Sequence, residues 1–354
     1  MSAGNIEDVY ELSPMQQGML FHLLYAPHSG VYNVQNTCVL HGLLDVERFK
    51  RVWQRIVDRH SILRTSFHWQ SVARPLQVVH RTVEVVWDEE DLRPLAPEAR
   101  GARVQAVLRD GRFTPFDLSR VPLMRLALLR VADDRYQMMW NLPHLLADGW
   151  SVTLILKDVF TLYTLSGDGV AHTLPPTSPY KEYIEWVGRQ DPHAAARFWQ
   201  GHLAGFDSPT TIGEMRAAGG WADRPIEADE RQVILPESTS RAIEALARQY
   251  RVTLSTLFHG VWALLLAHYS GRRDVVFGSV VSGRPPEVQG ADMMVGMFIN
   301  TLPVRAVFDP AASFTHWLAR LQQQLVDMRQ FDYTPLVEIQ KHADVAAGVP
   351  LFST

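Results

Sequence analysis

The sequence predicts an α/β protein, in the broad sense that includes α+β folds, with two lobes. Strand and helix signals alternate along the chain, without an internal repeat or a low-complexity tract. The 354 residues, 47% hydrophobic and 20% charged, are enough to build two separate cores. A Pro-rich segment and a Gly-rich polar stretch at 214–230 interrupt the alternation, so we predict an N-terminal lobe at 1–175 and a C-terminal lobe at 176–354.

Composition excludes several classes of protein. The single cysteine, Cys38, allows neither an internal disulfide nor a cysteine-based zinc site, and the histidines lack a metal-ligand spacing, so we expect no metal site. The net charge of −4 comes without a block of Lys or Arg, which disfavours a nucleic-acid partner. Without a long apolar run or a signal peptide, we expect no membrane association and a cytoplasmic location.

Local signals place helices near the N-terminus. Ser13 is the predicted N-cap of the first helix, with Pro14 at its first position and Gln16 completing a capping box. A second helix follows in "LDVERFKRVWQRIVDRH" (44–60), where apolar side chains recur every three or four residues. Both helices are therefore expected to bury one face.

Strand and helix signals then surround a short connection. The segments "LMRLALLRV" and "YQMMWNL" read as two strands joined by a polar turn, and the second strand should end at Pro143, which has no backbone N–H. A helix follows, with Ser151 as its predicted N-cap. In the second half, "RQVILP" (231–236) predicts a strand, 238–252 a helix, and the apolar segment 253–271 a core helix.

The connection "PHLLADGWS" (143–151) contains the candidate chemistry. His144 and Asp148 lie between strand and helix, and Gly149 is expected to permit a positive φ or a close approach. The spacing alone leaves two interpretations open. A lone His at a strand end is more often structural than catalytic, and an Asp before a helix is more often a cap or an ion-pair partner.

Further motifs occur in one order along the chain. These are "SPMQQGMLFHLL", "RHSILRTSF", "PHLLADGWS", "YKEYIEW", "ARFWQGHLAG", "GSVVSGRPPE", "VGMFINTLPVR" and "YTPLVEIQ". Together, over essentially the whole chain, they closely resemble the condensation domain of nonribosomal peptide synthetases. The HHxxxDG signature of that family matches residues 143–149, with Pro143 in place of the first His.

The resemblance implies a fold of two lobes, each similar to chloramphenicol acetyltransferase, arranged in a V with mixed sheets and flanking helices. The active site would lie in the tunnel between them. Family members continue beyond the position of Thr354, so the second lobe is expected to be incomplete.

The resemblance also implies the chemistry. Such a domain forms an amide bond between a donor acyl or peptidyl thioester and an acceptor aminoacyl thioester. Both are carried on the phosphopantetheine of donor and acceptor peptidyl carrier proteins, beside adenylation or carrier domains, and the domain itself binds no cofactor. His144 would accept a proton from the attacking amine or orient it, and the N–H of Gly149 is a candidate oxyanion donor, although a simple helix-start role competes.

Other residues receive supporting roles. By resemblance, Asp148 would form a structural salt bridge with Arg64, and Pro143 would alter the geometry of the loop. Four residues match positions that line or brace the channel, although a core role for the first and a turn role for "SGRPPE" compete: Trp150, Ser282, Arg284 and Asn300.

Two alternative functions remain. Pro143 motivates a non-catalytic, condensation-like domain that recruits partners. The second alternative is an acyl-coenzyme A dependent acyltransferase of the same superfamily. The motifs "SPMQQGMLFH" and "YTPLVEIQ" argue against it, because acyl-coenzyme A relatives share the His and Asp but not these segments.

Overall fold

The chain divides into two compact units. The computed structural model describes residues 3–165, 173–212, 231–346 and 349–353. The first unit contains the described residues up to Arg189 together with Arg284–Phe298, and the second contains the other described residues. The segment Arg284–Phe298, which sequence analysis assigned to the C-terminal lobe, thus packs with the first unit. The predicted boundary at 175/176 stays a prediction, and the Gly-rich stretch 214–230 lies outside the described residues.

The first unit contains seven strands and five helices among its described residues. In chain order they are β1 (Ile6–Glu11), α1 (Pro14–Tyr25), β2 (Asn33–His41), α2 (Val46–Arg59), β3 (Thr65–His68), β4 (Leu76–His80), β5 (Trp87–Asp91), α3 (Pro97–Phe113), β6 (Arg125–Ala132), β7 (Arg135–Pro143), α4 (Gly149–Leu165) and α5 (Lys181–Gly188).

These strands form two sheets. A three-stranded antiparallel sheet has the order β1-β4-β3, and a four-stranded sheet has the order β2-β7-β6-β5. The second sheet is mixed, because β5 runs parallel to β6 while the other pairs are antiparallel. The prediction of a mixed sheet with flanking helices is confirmed for this unit by its four-stranded sheet.

Local sequence signals explain how the elements begin and end. The capping box is present as predicted: the Ser13 hydroxyl accepts the Gln16 N–H at 3.1 Å, and the Gln16 side chain accepts the Ser13 N–H at 2.9 Å. Helix α2 buries its apolar face, and Trp53 meets Trp140 of β7 edge to face, with ring centroids 5.0 Å apart. This aromatic contact joins α2 to the centre of the four-stranded sheet.

The second unit contains five helices and two strands among its described residues. They are α6 (Pro192–Leu203), α7 (Glu237–Tyr250), α8 (Leu254–Ser270), β8 (Asp274–Val281), β9 (Asn300–Val307), α9 (Phe314–Met328) and α10 (Leu336–Gln340). Strands β8 and β9 pair antiparallel along their full length. Side chains from the sheet and from α6, α8 and α9 build one hydrophobic core.

One prediction for this unit was wrong, and a second was correct for one face of a helix only. Residues 231–236 form no strand, and Val233 and Ile234 are 82% and 84% exposed, because no described strand lies beside them to complete a ladder. Helix α8 buries only one face, which includes Leu266, whereas Phe258 and Tyr269 on other sides are 55% and 69% exposed. An apolar composition therefore did not imply complete burial.

None of the described helices meets the requirements for spanning a membrane by itself. No single one is long and apolar enough; α7 and α8 meet the length and composition criteria only as a pair, bent by 97°.

The first unit holds the segment Arg284–Phe298 by close packing against Tyr180. A Cβ atom at Gly296 would overlap the Tyr180 ring, and the Tyr180 hydroxyl donates a hydrogen bond to the Met297 carbonyl. The ring is buried and braced by Phe298, 5.2 Å away between centroids. The position therefore has no room for a side chain.

We predict that Gly296→Ala destabilises the first unit by roughly 1–3 kcal/mol, because either the Tyr180 ring or the Gly296 backbone must move. Thermal and urea unfolding would measure the loss. Gly188→Ala is the matched control, since a Cβ at Gly188 meets nothing within 4 Å. Equal stability of the two variants would contradict the packing described.

A second prediction concerns the pH dependence of stability. Burial lowers the pKa of His202 to about 4, although its Nε2–H can donate to the Pro303 carbonyl at 3.2 Å. Because the unfolded state binds this proton more readily, the stabilising contribution is present above about pH 6.5 and is lost as the pH falls towards 4. We expect wild type to lose up to about 3 kcal/mol of unfolding free energy through this group between pH 7 and 4, and His202→Asn to lack that loss. Urea unfolding over this pH range measures the difference. Parallel pH profiles for variant and wild type would refute it.

Candidate active site

The loop between β7 and α4 carries the predicted catalytic histidine. Strand β7 ends at Pro143, as predicted, and the Leu146 N–H turns back to the Pro143 carbonyl at 3.0 Å. His144 follows at once, and its backbone N–H donates to the carbonyl of Tyr32 at 2.7 Å. The loop is therefore fixed to the chain that leads into β2.

The His144 ring is half-buried. Its Nδ1 atom is enclosed and finds no hydrogen-bond partner among the described residues. The backbone bond to Tyr32 fixes the start of the loop, and no described residue bonds Nδ1 to orient the ring.

Asp148, and not the predicted Ser151, caps α4. The Ser151 N–H donates to Asp148 Oδ1 at 2.8 Å, which is the usual bond from the third helical residue to an N-cap side chain. The prediction failed because both residue types are good caps and the helix begins at Gly149, three residues earlier than expected.

The same carboxylate forms a buried ion pair with Arg284. An Nη2–Oδ1 distance of 3.1 Å joins two side chains that are 7% and 0% exposed. The Phe298 N–H also donates to Oδ2 at 3.2 Å, and the Asp148 N–H donates to the Gly296 carbonyl at 3.2 Å. Asp148 therefore connects the histidine loop to the segment Arg284–Phe298.

The predicted pairing of Asp148 with Arg64 was wrong. Arg64 lies in a short turn before β3 and binds Glu7 Oε2 at 2.6 Å, together with backbone carbonyls that include His80 and Val57. The reason is topological: β3 belongs to the β1-β4-β3 sheet, whereas Asp148 follows β7 of the other sheet. Arg64 braces its own sheet instead.

Arg284 has a dense set of contacts. Its Nη1 donates to the carbonyls of Ala291 and Met294, and the guanidinium lies 4.0 Å from the centroid of the Phe298 ring. Burial lowers the pKa of Arg284, and the attraction of the Asp148 carboxylate opposes this shift. The predicted channel-lining role of Arg284 remains a prediction. Its contacts join the carbonyls of Ala291 and Met294 to Asp148.

Ser151 is a site residue that sequence reasoning did not identify in this role. Its hydroxyl donates to the Gly296 carbonyl at 2.8 Å and accepts from the Gly296 N–H at 3.0 Å and from Arg284 Nη2 at 2.9 Å. The hydroxyl thus uses its full hydrogen-bonding capacity. No pattern in the sequence relates position 151 to position 296, so only the fold reveals this contact.

The remaining predicted site residues fall in both units. In the first, Gly149 is exposed and does not have the positive φ that was one of its two predicted roles, because it is the first helical residue; the close approach stays a prediction. Trp150 is 57% exposed and donates its Nε1–H to the Asp292 carbonyl at 2.8 Å, so it is not a core aromatic. In the second, Ser282 is exposed, and Asn300 donates to the carbonyls of Asp332 and Thr334.

Comparison with known proteins identifies the family. A family model described as the condensation domain matches residues 6–354. The chain belongs to the condensation-domain family.

Relatives and solved structures agree with this assignment. One of the linear gramicidin synthase proteins of Brevibacillus parabrevis is 43% identical over 99% of this chain and 4% of its own length. Surfactin synthase subunit 3 of Bacillus subtilis strain 168 is 35% identical over 97% of this chain and 27% of its own length. The condensation domain thus spans only a small part of these relatives.

Two solved structures share its fold. A variant of the starter condensation domain of rhizomide synthetase in complex with C8-CoA has a TM-score of 0.81 at 22% identity, covering 97% of this chain and 77% of the other. The first condensation domain of the calcium-dependent antibiotic synthetase, with a substrate analogue, has a TM-score of 0.78 at 19% identity, covering 97% and 80%. The predicted fold class is confirmed.

A double-mutant cycle tests which arginine pairs with Asp148 in this condensation domain. We expect Asp148→Ala to cost roughly 3–5 kcal/mol of unfolding free energy, because a buried guanidinium loses its counter-charge. Coupling with Arg284→Met should exceed about 0.5 kcal/mol, while Asp148→Ala and Arg64→Met should be additive within about that value. Urea unfolding supplies the four free energies of each cycle. Coupling with Arg64 but not with Arg284 would contradict the pairing.

Proposed function

We propose that this condensation domain forms an amide bond between two substrates held as thioesters on carrier proteins. The observation that carries the proposal is the placement of His144 on a loop that is fixed at both ends. Tyr32 holds the backbone of His144, and Asp148 is bound to Arg284 at the start of α4. A fixed loop that presents an imidazole suits a reaction governed by alignment, since orientation alone contributes about 7–11 kcal/mol in the best cases.

In the proposed reaction, the neutral amine of the acceptor attacks the thioester carbonyl of the donor. A C–N bond forms, the carbonyl electrons move to oxygen, and the tetrahedral intermediate collapses by expelling the thiolate of the donor arm. The amine loses one proton and the leaving thiolate gains one. His144 accepts the first proton or orients the amine by a hydrogen bond, because histidine exchanges protons in the physiological pH range.

The oxyanion would be stabilised at the beginning of α4. The first N–H groups of a helix have no partners within the helix and carry the positive end of its dipole. The Gly149 N–H is our candidate donor, and Gly149 is exposed. Asp148 has a positioning role instead, since its oxygens are already bound to Arg284, Ser151 and Phe298.

The proposed partners follow from the tethered substrates. A donor and an acceptor peptidyl carrier protein would each present a phosphopantetheine arm, with adenylation or carrier domains as neighbours, and the domain itself would need no cofactor. Peptide synthetases among the relatives support this context. The C8-CoA in one structural neighbour keeps acyl-coenzyme A as the alternative donor to be tested.

We predict that His144→Ala reduces the rate of single-turnover dipeptide formation by about 10²–10⁴-fold, the usual contribution of a positioned acid–base group. The measurement is intact-protein mass spectrometry of two loaded carrier proteins mixed with the domain. His41→Ala is the matched control, because His41 is an exposed histidine of the same unit.

Three outcomes are informative. Product with wild type and His41→Ala, but not with His144→Ala, supports the proposal. No product, with both carriers still bound, favours a recruiting domain whose Pro143 replaces the usual histidine. Turnover with acyl-coenzyme A but not with a loaded donor carrier identifies the acyltransferase alternative.

A further inference from the structure

A cavity of about 200 Å³ lies within the first unit beside the histidine loop. Much of its wall is apolar, from residues that include Leu24, Val31, Trp69, Phe116 and Pro143. Pockets that bind whole small-molecule ligands usually measure about 300–1,000 Å³. The cavity is therefore the size of one large side chain rather than of a complete ligand.

Contacts within the protein hold its outer wall in place. The Arg125 guanidinium stacks on the Phe116 ring at 3.9 Å and donates to the carbonyls of Thr114 and Pro115, which fixes the segment after α3. On the other side, Gly30 adopts φ +73° and packs against Phe113, where a Cβ would lie 2.9 Å from the ring. The cavity is thus preformed.

The cavity is lined by two residues that adjoin His144. Tyr32 lines it, and the Tyr32 carbonyl accepts the His144 N–H. Pro143 also lines it and precedes His144 in the chain, opposite Asn33 in the pairing of β2 with β7. A group bound in the cavity would therefore contact Pro143, the residue that precedes the candidate catalytic histidine.

The chemistry of the wall favours an apolar guest. Pro143 is buried and supplies a ring without a hydrogen-bond donor at a position where the HHxxxDG signature has an imidazole. The lining includes Arg112 and Asp117, whose opposite charges leave the wall without a net charge from this pair. An uncharged, hydrophobic side chain gains the most by leaving water here.

We propose that this cavity binds a large apolar side chain of one of the two aminoacyl thioesters, and that Pro143 is a specificity-determining residue of the reaction. The inference rests on the proposed function for its substrate class. The donor and acceptor carry the same chemistry, so the experiment varies each in turn.

The test compares aminoacyl thioesters with Phe, Leu, Ala and Asp side chains, first as donors and then as acceptors, in single-turnover competition. Wild type should prefer Phe or Leu over Ala by at least about 10-fold in one of the two series. Leu24→Trp, which fills the cavity from its partly exposed edge, should reduce that preference at least about fivefold. Val31→Phe is a second filling variant, and Val39→Phe, on the exposed side of β2 outside the cavity, is the matched control.

Pro143→His tests the specificity role separately. It should lower the preference for Phe over Ala and leave the melting temperature close to that of wild type. Unchanged preference in both series for the two filling variants would overturn the cavity assignment. Unchanged preference in Pro143→His alone would overturn the role of Pro143.

A binding measurement separates this inference from the proposed function. Amide-linked phenylalanyl and alanyl pantetheine, which cannot react, are titrated into wild type and Leu24→Trp by calorimetry. Tighter binding of the phenylalanyl probe that is lost in Leu24→Trp supports the cavity even if no dipeptide forms, in which case only the proposed function fails. Equal binding of the two probes by wild type would reject the cavity assignment whatever the turnover result.

Discussion

The arrangement of the candidate site depends on one buried carboxylate. Asp148 accepts hydrogen bonds from the guanidinium of Arg284 and from the N–H groups of Ser151 and Phe298. These bonds cap α4, end the loop that carries His144, and attach a distant chain segment to the same point. A buried charge is tolerated at this position only because its hydrogen-bond partners are charged or well oriented. The geometry of the loop and the attachment of the segment therefore cannot vary independently.

Features determined by neighbouring residues were readable from the sequence. The capping box of Ser13 and Gln16 and the end of β7 at Pro143 are local consequences of side-chain hydrogen bonding and of a missing N–H. The charge partner of Asp148 was not readable in this way. Arg64 and Arg284 are chemically identical, and only the division of the strands between two sheets determines which one reaches the carboxylate.

Burial was the other property that the sequence could not supply. Apolar residues at 231–236 and along α8 suggested a strand and a core helix, yet several of those side chains are exposed in the described part of the chain. Hydrophobic composition indicates how much free energy a side chain would gain by burial. It does not specify whether another element of the fold covers that side chain. The cavity beside Pro143 illustrates the same limit, since its walls come from segments far apart in sequence.

The first unit is built from separate stretches of the chain, and this has a consequence for biosynthesis. Asp148 leaves the ribosome 136 residues before Arg284. At about 5–20 residues per second, the carboxylate waits roughly 7 to 27 seconds for its guanidinium. During that interval the nascent chain contains the whole four-stranded sheet and completes α4, but lacks the segment that neutralises the helix cap. The four-stranded sheet can thus collapse early, while the histidine loop acquires its final restraint only once Arg284 has been translated.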